Sequence, residues 1–384
     1  MRILHTSDWH LGRSFHRVDL LSHQASFVDH LVEVVRAETV DVVVVAGDVY
    51  DRALPAVDTV ALLDETLARL RATGAVVLLT SGNHDSAVRL GFGSRVLEAA
   101  GVHLRTRLDD LARPVQLEDE HGPVVLYGLP YLEPSLTADP LGCDQRSHTS
   151  VLSAAMDRVR ADLAQRPGSR SLVAAHAFVV GGQVSDSERD ISVGGVGSVP
   201  SDVFAGVDYV ALGHLHGRQT ISDGVRYSGS PLAYSFSEHA HAKGSWLVEL
   251  DAEGVRSVEA VPAPVPRPLS LLRGRLDDLL GDPAHAEAEG SWCQVTLTDP
   301  ARPRDAMARL RQRFPHALVL TFEPDAGASV DEGYAARVRG QSELDVCCGF
   351  LEHVRAGVGA DTAEREMLQT ALERARVATS ESAA

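Results

Sequence analysis

Residues 42–51 have the sequence VVVVAGDVYD, in which five apolar residues, Val42 to Ala46, are followed at once by glycine and aspartate. Four β-branched residues in a row favour a strand that is buried on both faces, as in a sheet covered by helices. Gly47 lets the chain turn tightly after that strand, which places Asp48 at the carboxyl end of the sheet. Ligand sites of open α/β sheets form at such ends.

Outward from this strand, short β-branched runs alternate with amphipathic helical stretches over the first 260 residues, which predicts an α/β domain. The predicted strands cover residues 2–7, 42–46, 75–80, 124–128, 172–176, 209–212, 225–227 and 245–250. The predicted helices cover residues 19–38, 56–73 and 151–165.

A proline-rich segment, VPAPVPRP at residues 261–268, favours an extended linker after this domain. Beyond it, the sequence predicts a strand at 292–298, an Arg-rich helix at 303–314, a strand at 317–322 and helices at 343–355 and 362–377. We therefore predict a first domain at 1–262, a small α/β capping domain at 263–340 and C-terminal helices at 341–384.

The first C-terminal helix carries an apolar stripe at helical spacing, formed by Leu344, Cys347, Cys348, Leu351 and Val354. About 40 residues are too few to build an independent core. These helices therefore either pack on their own domain or dock onto another protein.

The composition, 44% hydrophobic and 23% charged, is that of a soluble globular protein and excludes a disordered, collagenous or disulfide-scaffold chain. No apolar run approaches the roughly 20 residues of a membrane helix. The segment MRILHTSDWHLG lacks the apolar centre of a secretory signal. The four cysteines show no CxxC spacing, which indicates buried thiols in a reducing compartment. We expect a cytoplasmic protein without membrane contact.

The formal net charge is −17, which by itself disfavours duplex binding through clustered cations. Lys243 is the only lysine, and Ala242 stands where a Walker A loop requires glycine, so the chain has no P-loop of its own. Any nucleotide dependence would come from a partner. One basic cluster is either a DNA-backbone contact or a solvated helix face: Arg302, Arg304, Arg309, Arg311 and Arg313.

Five polar clusters stand at predicted strand ends: Asp8-Trp-His10, Gly47-Asp48-Val-Tyr-Asp51, Gly82-Asn83-His84-Asp85, His176 and Gly213-His214-Leu-His216. A single histidine at a strand end is usually structural, but the recurrence of Asp, Asn and His beside glycine indicates one shared site. Oxygen and imidazole donors without thiolate suit Mn²⁺ or Fe²⁺, and Zn²⁺ also binds such sets. Seven donors fit two ions that share a carboxylate, as in enzymes that cleave phosphate esters.

The motif order DxH, GDxxD, GNHD, H and GHxH resembles the calcineurin-like metallophosphoesterase superfamily from residue 1 to about residue 250. More narrowly, six segments resemble the SbcD family of bacterial nuclease subunits, which is related to the double-strand-break repair nucleases: MRILHTSDWHLGRSF, VAGDVYD, SGNHDS, SERDISVGG, DYVALGHLHGRQ and RYSGSPLAYSFSE. The resemblance implies a metallophosphoesterase β-sandwich flanked by helices, followed by a small α/β capping domain and C-terminal helices.

The resemblance also implies the ligand set of two divalent ions, which we expect to be Mn²⁺. It assigns Asp8, His10 and His216 to the first ion, Asn83, His176 and His214 to the second, and Asp48 to a bridge between them.

Two further residues are implied to take part in catalysis. His84 would face the scissile phosphate and either orient it or protonate the leaving oxygen, a task that suits an imidazole of near-neutral pKa. Asp51 resembles the acid that hydrogen-bonds this histidine, although a loop-capping carboxylate is the alternative. Asp85 is a candidate for supporting the loop instead.

The resemblance implies an ATP-dependent double-strand DNA exonuclease and single-strand or hairpin endonuclease in DNA repair, recombination and replication. It implies a partner, an SbcC-like SMC-family ATPase that docks the C-terminal helices, and a homodimer within a heterotetramer. The alternatives are an enzyme acting on small-molecule phosphodiesters or phosphoproteins, and a non-catalytic scaffold. About 120 residues beyond the core favour the nuclease over other phosphoesterases, and the complete set of donors disfavours a scaffold.

Overall fold

The structure is a computed structural model that describes residues 1–191, 197–325, 341–355 and 357–382. The chain divides into two units, Met1–Ser270 and Leu271–Ala384. The end of the SERDISVGG segment, residues 192–195, lies outside the described residues. The predicted domain boundaries at residues 262 and 340 stay predictions.

Two six-stranded mixed sheets form the first unit. Its strands, in chain order, are β1 (Arg2–Thr6), β2 (Ser14–Phe15), β3 (Val18–Asp19), β4 (Val42–Ala46), β5 (Val76–Thr80), β6 (Val102–Arg105), β7 (Val115–Asp119), β8 (Gly122–Gly128), β9 (Arg170–His176), β10 (Phe178–Val179), β11 (Ser198–Val199), β12 (Tyr209–Gly213), β13 (Gln219–Ser222), β14 (Val225–Tyr227), β15 (Gly244–Asp251) and β16 (Gly254–Pro262). The first sheet has the order β16-β15-β1-β4-β5-β6 and the second the order β13-β14-β12-β9-β8-β7.

The two sheets pack face to face across a shared apolar core. In β4 every residue is buried, and alternate side chains point to opposite faces of the sheet. Val42 and Val44 join the core between the sheets, together with Leu172 from β9 and Tyr209 from β12. Val43 and Val45 belong to the core on the helical side. A strand covered on both faces explains the uninterrupted valine run.

Helices cover the outer face of each sheet. They are α1 (Leu21–Ala37), α2 (Val57–Ala72), α3 (Ala87–Leu90), α4 (Ser94–Ala99), α5 (Pro134–Leu141) and α6 (His148–Leu163). Residues of α1 and α2, such as Phe27 and Leu63, share a core with the first sheet. Residues of α5 and α6, such as Leu141 and Met156, share a core with the second sheet. The resulting layers are helix, sheet, sheet and helix, which confirms the predicted metallophosphoesterase β-sandwich flanked by helices.

Some predicted elements differ from the observed ones. The helix predicted at 19–38 begins at Leu21, because β2 and β3 pair as a short antiparallel ladder just before it. Strands β6 and β7 were not predicted. In β7, which lies at the edge of its sheet, only Val115 is buried, so its sequence lacks a continuous apolar run.

The carboxyl ends of parallel strands from both sheets meet at one edge of the sandwich. Strands β1, β4 and β5 run parallel in the first sheet, and β9 and β12 run parallel in the second. His176 Nδ1, at the end of β9, lies 3.1 Å from the carbonyl oxygen of Ala46, at the end of β4. The five predicted clusters therefore converge at this edge.

The second unit contains a three-stranded sheet of order β17-β18-β19. Its elements are β17 (Leu269–Gly274), α7 (Leu276–Gly281), β18 (Trp292–Leu297), α8 (Ala306–Arg313), β19 (Ala317–Phe322), α9 (Glu343–Val354) and α10 (Thr362–Ser382). Strands β18 and β19 are parallel, so the β-α-β arrangement predicted from the sequence is present. In the apolar stripe of α9, Leu344 and Leu351 are half-buried and Val354 is exposed. Among the described residues, no helix has the length and hydrophobicity needed to cross a bilayer.

Candidate metal centre

The strand-end loops that carry the predicted ligands have an unusual backbone conformation. Asp8, His10, Asp48 and His214 all have positive φ, at 51°, 44°, 47° and 107°. Residues other than glycine adopt this region at a cost, and such strain is found mainly where a site requires it. Hydrogen bonds join two of the loops, from Asp8 N to Gly47 O at 3.1 Å and from His10 N to Asp48 O at 3.0 Å. The loops that follow β1 and β4 are thereby held side by side.

In the part of the chain that the structure describes, candidate donors form three groups, and within each group the ligand atoms lie within 4.8 Å of one another. The groups are Asp8 with His10 and His216, His10 with Asp48 and His84, and Asp8 with Asp48 and His176. In the first group, His10 Nε2 lies 3.0 Å from His216 Nε2. All three side chains of that group are almost completely buried. The structure therefore brings together residues of the loops that follow β1 and β12; His10 and His216 are 206 positions apart in the sequence.

Asp48 lies between donors that are predicted for different ions. Its Oδ2 atom is 3.5 Å from His10 Nε2 and 3.5 Å from His176 Nε2. Its Oδ1 atom accepts a hydrogen bond of 2.9 Å from the main-chain N–H of His84. One oxygen of this carboxylate therefore faces a donor predicted for each ion, and the bridging role of Asp48 stays a prediction.

The donors predicted for the second ion are arranged less uniformly. Asn83 Oδ1 lies 2.9 Å from His176 Nε2. His214 belongs to none of the three groups found among the described residues; its ring packs edge-to-face on that of His176, with centroids 5.3 Å apart. Its main-chain N–H donates to both carboxylate oxygens of Asp8, at 3.0 and 3.2 Å.

His84 faces the cluster with one nitrogen and the main chain with the other. Its Nδ1 lies 2.8 Å from the carbonyl oxygen of Asp51. The Asp51 carboxylate, by contrast, is 4.0 Å from that nitrogen, too far for a hydrogen bond. The predicted hydrogen bond between the Asp51 carboxylate and His84 is therefore wrong, because the main-chain oxygen of Asp51 contacts His84 instead. The carboxylate is closer to His10 Nδ1 and to Arg13 Nη1, at 3.7 Å from each.

Asp85 connects two of the loops. Its carboxylate accepts hydrogen bonds from the main-chain N–H groups of Val49, Tyr50 and Gly82, at 3.1, 2.9 and 2.9 Å. Three such bonds to one buried carboxylate hold the GDVYD and GNHD loops in fixed register. This agrees with the alternative in which Asp85 supports the loop.

Burial and mutual charge shift the pKa values of these residues. Burial raises the pKa of Asp8 to about 6 and lowers the pKa values of His10 and His214 well below the usual range. Burial is the largest single effect on His176 and would lower its pKa, but the charges of Asp48 and Asp8 and the hydrogen bond to the Ala46 carbonyl together raise that pKa to about 9. Burial would raise the pKa of the Asp48 carboxyl, but His176, His10 and His84 together outweigh it and lower that pKa well below its usual range. His10 and His214 are thus neutral, the form that a metal ion requires.

The donor set fits two divalent cations. It contains buried carboxylate, amide and imidazole groups without thiolate, a combination that suits Mn²⁺, Fe²⁺ or Zn²⁺. Among the described residues, the buried atoms His10 Nδ1 and Asn83 Nδ2 have no hydrogen-bond partner. A tightly packed cluster of this kind, removed from water and incompletely paired, is energetically costly unless a cation neutralises it.

Several residues that the sequence did not single out lie behind the predicted ligands. The Tyr234 ring packs edge-to-face on His10 and His216, with centroids 5.4 and 5.7 Å away. Gln24 Nε2 donates to the carbonyl oxygen of His10 at 2.7 Å. Ser187 and Glu188 contact His216 through its ring and its main chain. The segments SERDISVGG and RYSGSPLAYSFSE, which contain three of these residues, were the available signal.

Three solved structures match between 68% and 85% of this chain. TT1561 of Thermus thermophilus is 14% identical, covers 68% of this chain and 98% of its own, and has a TM-score of 0.41. A dimetal phosphatase from Danio rerio is 16% identical, with coverages of 69% and 99% and a TM-score of 0.39. GAP50, the anchor in the inner membrane complex of Plasmodium, is 10% identical, with coverages of 85% and 98% and a TM-score of 0.35.

Two family models match the sequence. Residues 265–355 match the model SbcD_C, described as the type 5 capsule protein repressor C-terminal domain. Residues 1–218, more than half of the chain, match the calcineurin-like phosphoesterase model, which supports a metal-dependent hydrolase. The matched region contains every strand-end motif that converges on the candidate centre. The chain therefore belongs to the calcineurin-like phosphoesterase family.

Proposed function

We propose that this chain is the nuclease subunit of an SbcCD-type complex and hydrolyses DNA phosphodiester bonds with two divalent ions, which we expect to be Mn²⁺. The observation that carries the proposal is the position of Asp48 Oδ2, 3.5 Å from both His10 Nε2 and His176 Nε2. The match of residues 265–355 to SbcD_C supports DNA as the substrate class. When bound, the ions supply an activated water and neutralise charge on the phosphate.

The chain's own residues would divide the binding of the ions as the resemblance implies. Asp8, His10 and His216 would hold one ion, because their donor atoms form one tight group. Asn83, His176 and His214 would hold the other, and Asp48 would contribute to both. Burial of nearly the whole set excludes competing water from the ligand atoms.

His84 is suited to moving a proton at the phosphate. The Asp51 carbonyl oxygen can only accept, so His84 Nδ1 carries a proton and Nε2 is the atom that gains or loses one. Burial lowers the pKa of His84, so the ring is neutral at pH 7. A negatively charged phosphate beside Nε2 would favour the protonated form, which could then protonate the leaving oxygen.

A substrate panel tests the proposed activity. With Mn²⁺ present, the purified chain should cleave hairpin and single-stranded DNA, and EDTA should abolish this cleavage. Cyclic nucleotides and phosphopeptides, assayed beside DNA, should be turned over far more slowly. Efficient turnover of either, with DNA left intact, would replace the nuclease by the small-molecule or phosphoprotein alternative.

We further propose that the C-terminal helices dock an SbcC-like SMC-family ATPase, which would make double-strand exonuclease activity ATP-dependent. The absence of a Walker A motif from the sequence is consistent with this division of labour. Side chains of the helical segment that support docking include Val354 and Met367, which are 63% and 65% exposed. Deleting residues 342–384 should abolish co-purification with such an ATPase while hairpin cleavage persists. An unchanged complex would contradict the docking role.

DNA binding by the isolated chain should be weak and salt-sensitive, because the net charge is −17. Two arginines of the basic cluster on and before α8 pair with acidic side chains, which reduces the charge that the cluster offers to DNA. Arg309 pairs with Asp277 at 2.5 Å, Arg313 pairs with Glu289 at 3.0 Å, and Arg311 donates to a main-chain carbonyl. A DNA contact by this cluster stays a prediction. Tight binding of duplex DNA by the isolated chain at high salt would contradict the expected weak and salt-sensitive binding.

We also propose that the chain forms a homodimer within the heterotetramer. Large apolar side chains of α2, of α3 and of the turn before α4 support this, since Val57, Val88 and Phe92 are each more than 80% exposed. Sedimentation analysis of the purified chain should show a dimer. A monomer at micromolar concentration would contradict the proposal.

A further inference from the structure

The only lysine of the chain is buried behind His216. Lys243 is 7% exposed, and its ammonium group makes three hydrogen bonds. It donates to the carbonyl oxygen of His216 at 2.8 Å, to Ser230 Oγ at 2.9 Å and to Glu238 Oε2. An ammonium group has three protons and no lone pair, so these partners satisfy it completely.

Glu238, which accepts from Lys243, is in turn hydrogen-bonded to further residues. It is 1% exposed and paired with the Lys243 cation, so its carboxylate is ionised and can only accept hydrogen bonds. Its Oε1 atom accepts from the main-chain N–H of Tyr234 at 3.2 Å and from the Ser187 hydroxyl at 2.5 Å. The single proton of the Ser187 hydroxyl is therefore committed to Glu238.

The direction of these bonds determines the tautomer of His216. Ser187 Oγ lies 2.5 Å from His216 Nδ1. Since the hydroxyl proton points to Glu238, Ser187 Oγ can only accept, and Nδ1 must carry the ring proton. The lone pair then resides on Nε2, which lies 3.0 Å from His10 Nε2 inside the donor cluster. The main-chain N–H of His216 is held as well, by Glu188 Oε1 at 2.7 Å.

The other predicted ligands are supported differently. The Nδ1 atom of His176 lies 3.1 Å from the carbonyl oxygen of Ala46, so the main chain is enough to fix its tautomer. His10 Nδ1 has no hydrogen-bond partner among the described residues. Of these three histidines, His216 is thus the one whose ring is held by a series of side chains, namely Ser187, Glu238 and Lys243.

We infer that Lys243, Glu238 and Ser187 are positioning residues that hold His216 in the Nδ1–H tautomer and present its Nε2 to the first metal ion. This inference rests on the proposed function, because it takes His216 to be a metal ligand. Groups that orient a metal-binding imidazole typically contribute about 10- to 100-fold in metal affinity.

Ser187→Ala removes the hydroxyl that joins His216 to Glu238 and keeps the buried ion pair between Lys243 and Glu238 intact. Calorimetric titration with MnCl₂ should show two bound ions in the wild-type chain. In Ser187→Ala one of the two should bind about 10- to 100-fold more weakly. Ser187→Thr, which keeps the hydroxyl, should restore wild-type affinity. Ser171→Ala is the matched control, because Ser171, like Ser187, donates to a carboxylate, that of Asp208 at 2.9 Å, but lies outside the cluster.

Nitrogen NMR of the metal-free protein with ¹⁵N-labelled histidine gives a readout that does not depend on metal. The His216 signals, assigned by their absence from His216→Gln, should show the Nδ1–H tautomer in the wild-type chain and a mixture in Ser187→Ala. The inference would be overturned if Ser187→Ala bound two Mn²⁺ ions with wild-type affinity and kept the wild-type tautomer of His216. It would also be overturned if Ser171→Ala weakened Mn²⁺ binding as much as Ser187→Ala does. A wild-type chain that binds no Mn²⁺ would instead defeat the proposed function on which the inference rests.

Discussion

Replacing Gly47 by alanine should damage the candidate metal centre through one methyl group. Gly47 has a φ of +82° and stands between the last residue of β4 and Asp48. A Cβ atom there would lie 2.7 Å from Cγ and 2.9 Å from Cβ of His176. Ordinary van der Waals contact begins near 3.4 Å and the Nδ1 atom of His176 is nearer than Cγ, so the ring would have to move by about 1 Å.

Two costs add in this variant. Alanine in the left-handed region costs about 1–2 kcal/mol relative to glycine. Forcing an extra carbon into a packed site costs about 1–3 kcal/mol more. Gly74→Ala separates the two costs, because Gly74 has a φ of +96° and no atom within 4 Å of its would-be Cβ. It should suffer only the backbone cost.

Thermal denaturation followed by circular dichroism measures the difference. Gly47→Ala should melt about 2 to 12 °C below Gly74→Ala. Because a misplacement approaching 1 Å can reduce catalysis by about 100-fold, Mn²⁺-dependent DNA cleavage should fall steeply in Gly47→Ala and stay at the wild-type rate in Gly74→Ala. Equal melting temperatures, together with wild-type cleavage by Gly47→Ala, would refute the reasoning.

Two further predictions concern proton transfer and pH. His84→Ala should reduce DNA cleavage by about 10²- to 10⁴-fold while calorimetry still detects two Mn²⁺ ions; wild-type rates would defeat the proposed role. The hydrogen bond from Arg170 lowers the pKa of the Asp119 carboxyl, so this interaction stabilises the fold above the unfolded value of 3.8 and is lost as the pH falls through the folded value. Asp119→Asn should therefore lower the melting temperature by about 3 to 12 °C at pH 7, with a difference that shrinks towards pH 2; a constant difference would contradict this sign.

The sequence by itself determined the central strands and the chemistry of the donors. The valine run of β4 predicted a strand buried on both faces, and it lies at the centre of the first sheet. The spacing of Asp8 and His10, and of His214 and His216, placed pairs of donors at strand ends. These signals are local, because side-chain periodicity and glycine-containing turns depend on residues that are close in the chain.

Only the tertiary structure decided which donors meet and what holds them. His10 and His216 are 206 positions apart, and no local pattern reports that their Nε2 atoms face each other. The contact of His84 with the main chain of Asp51, rather than with its carboxylate, follows from how two loops pack. From the sequence, Lys243 indicated only that the chain has no P-loop, because Ala242 precedes it. Its position behind His216 depends on the packing of both sheets, since hydrogen-bond direction is set by three-dimensional neighbours and not by residue type alone.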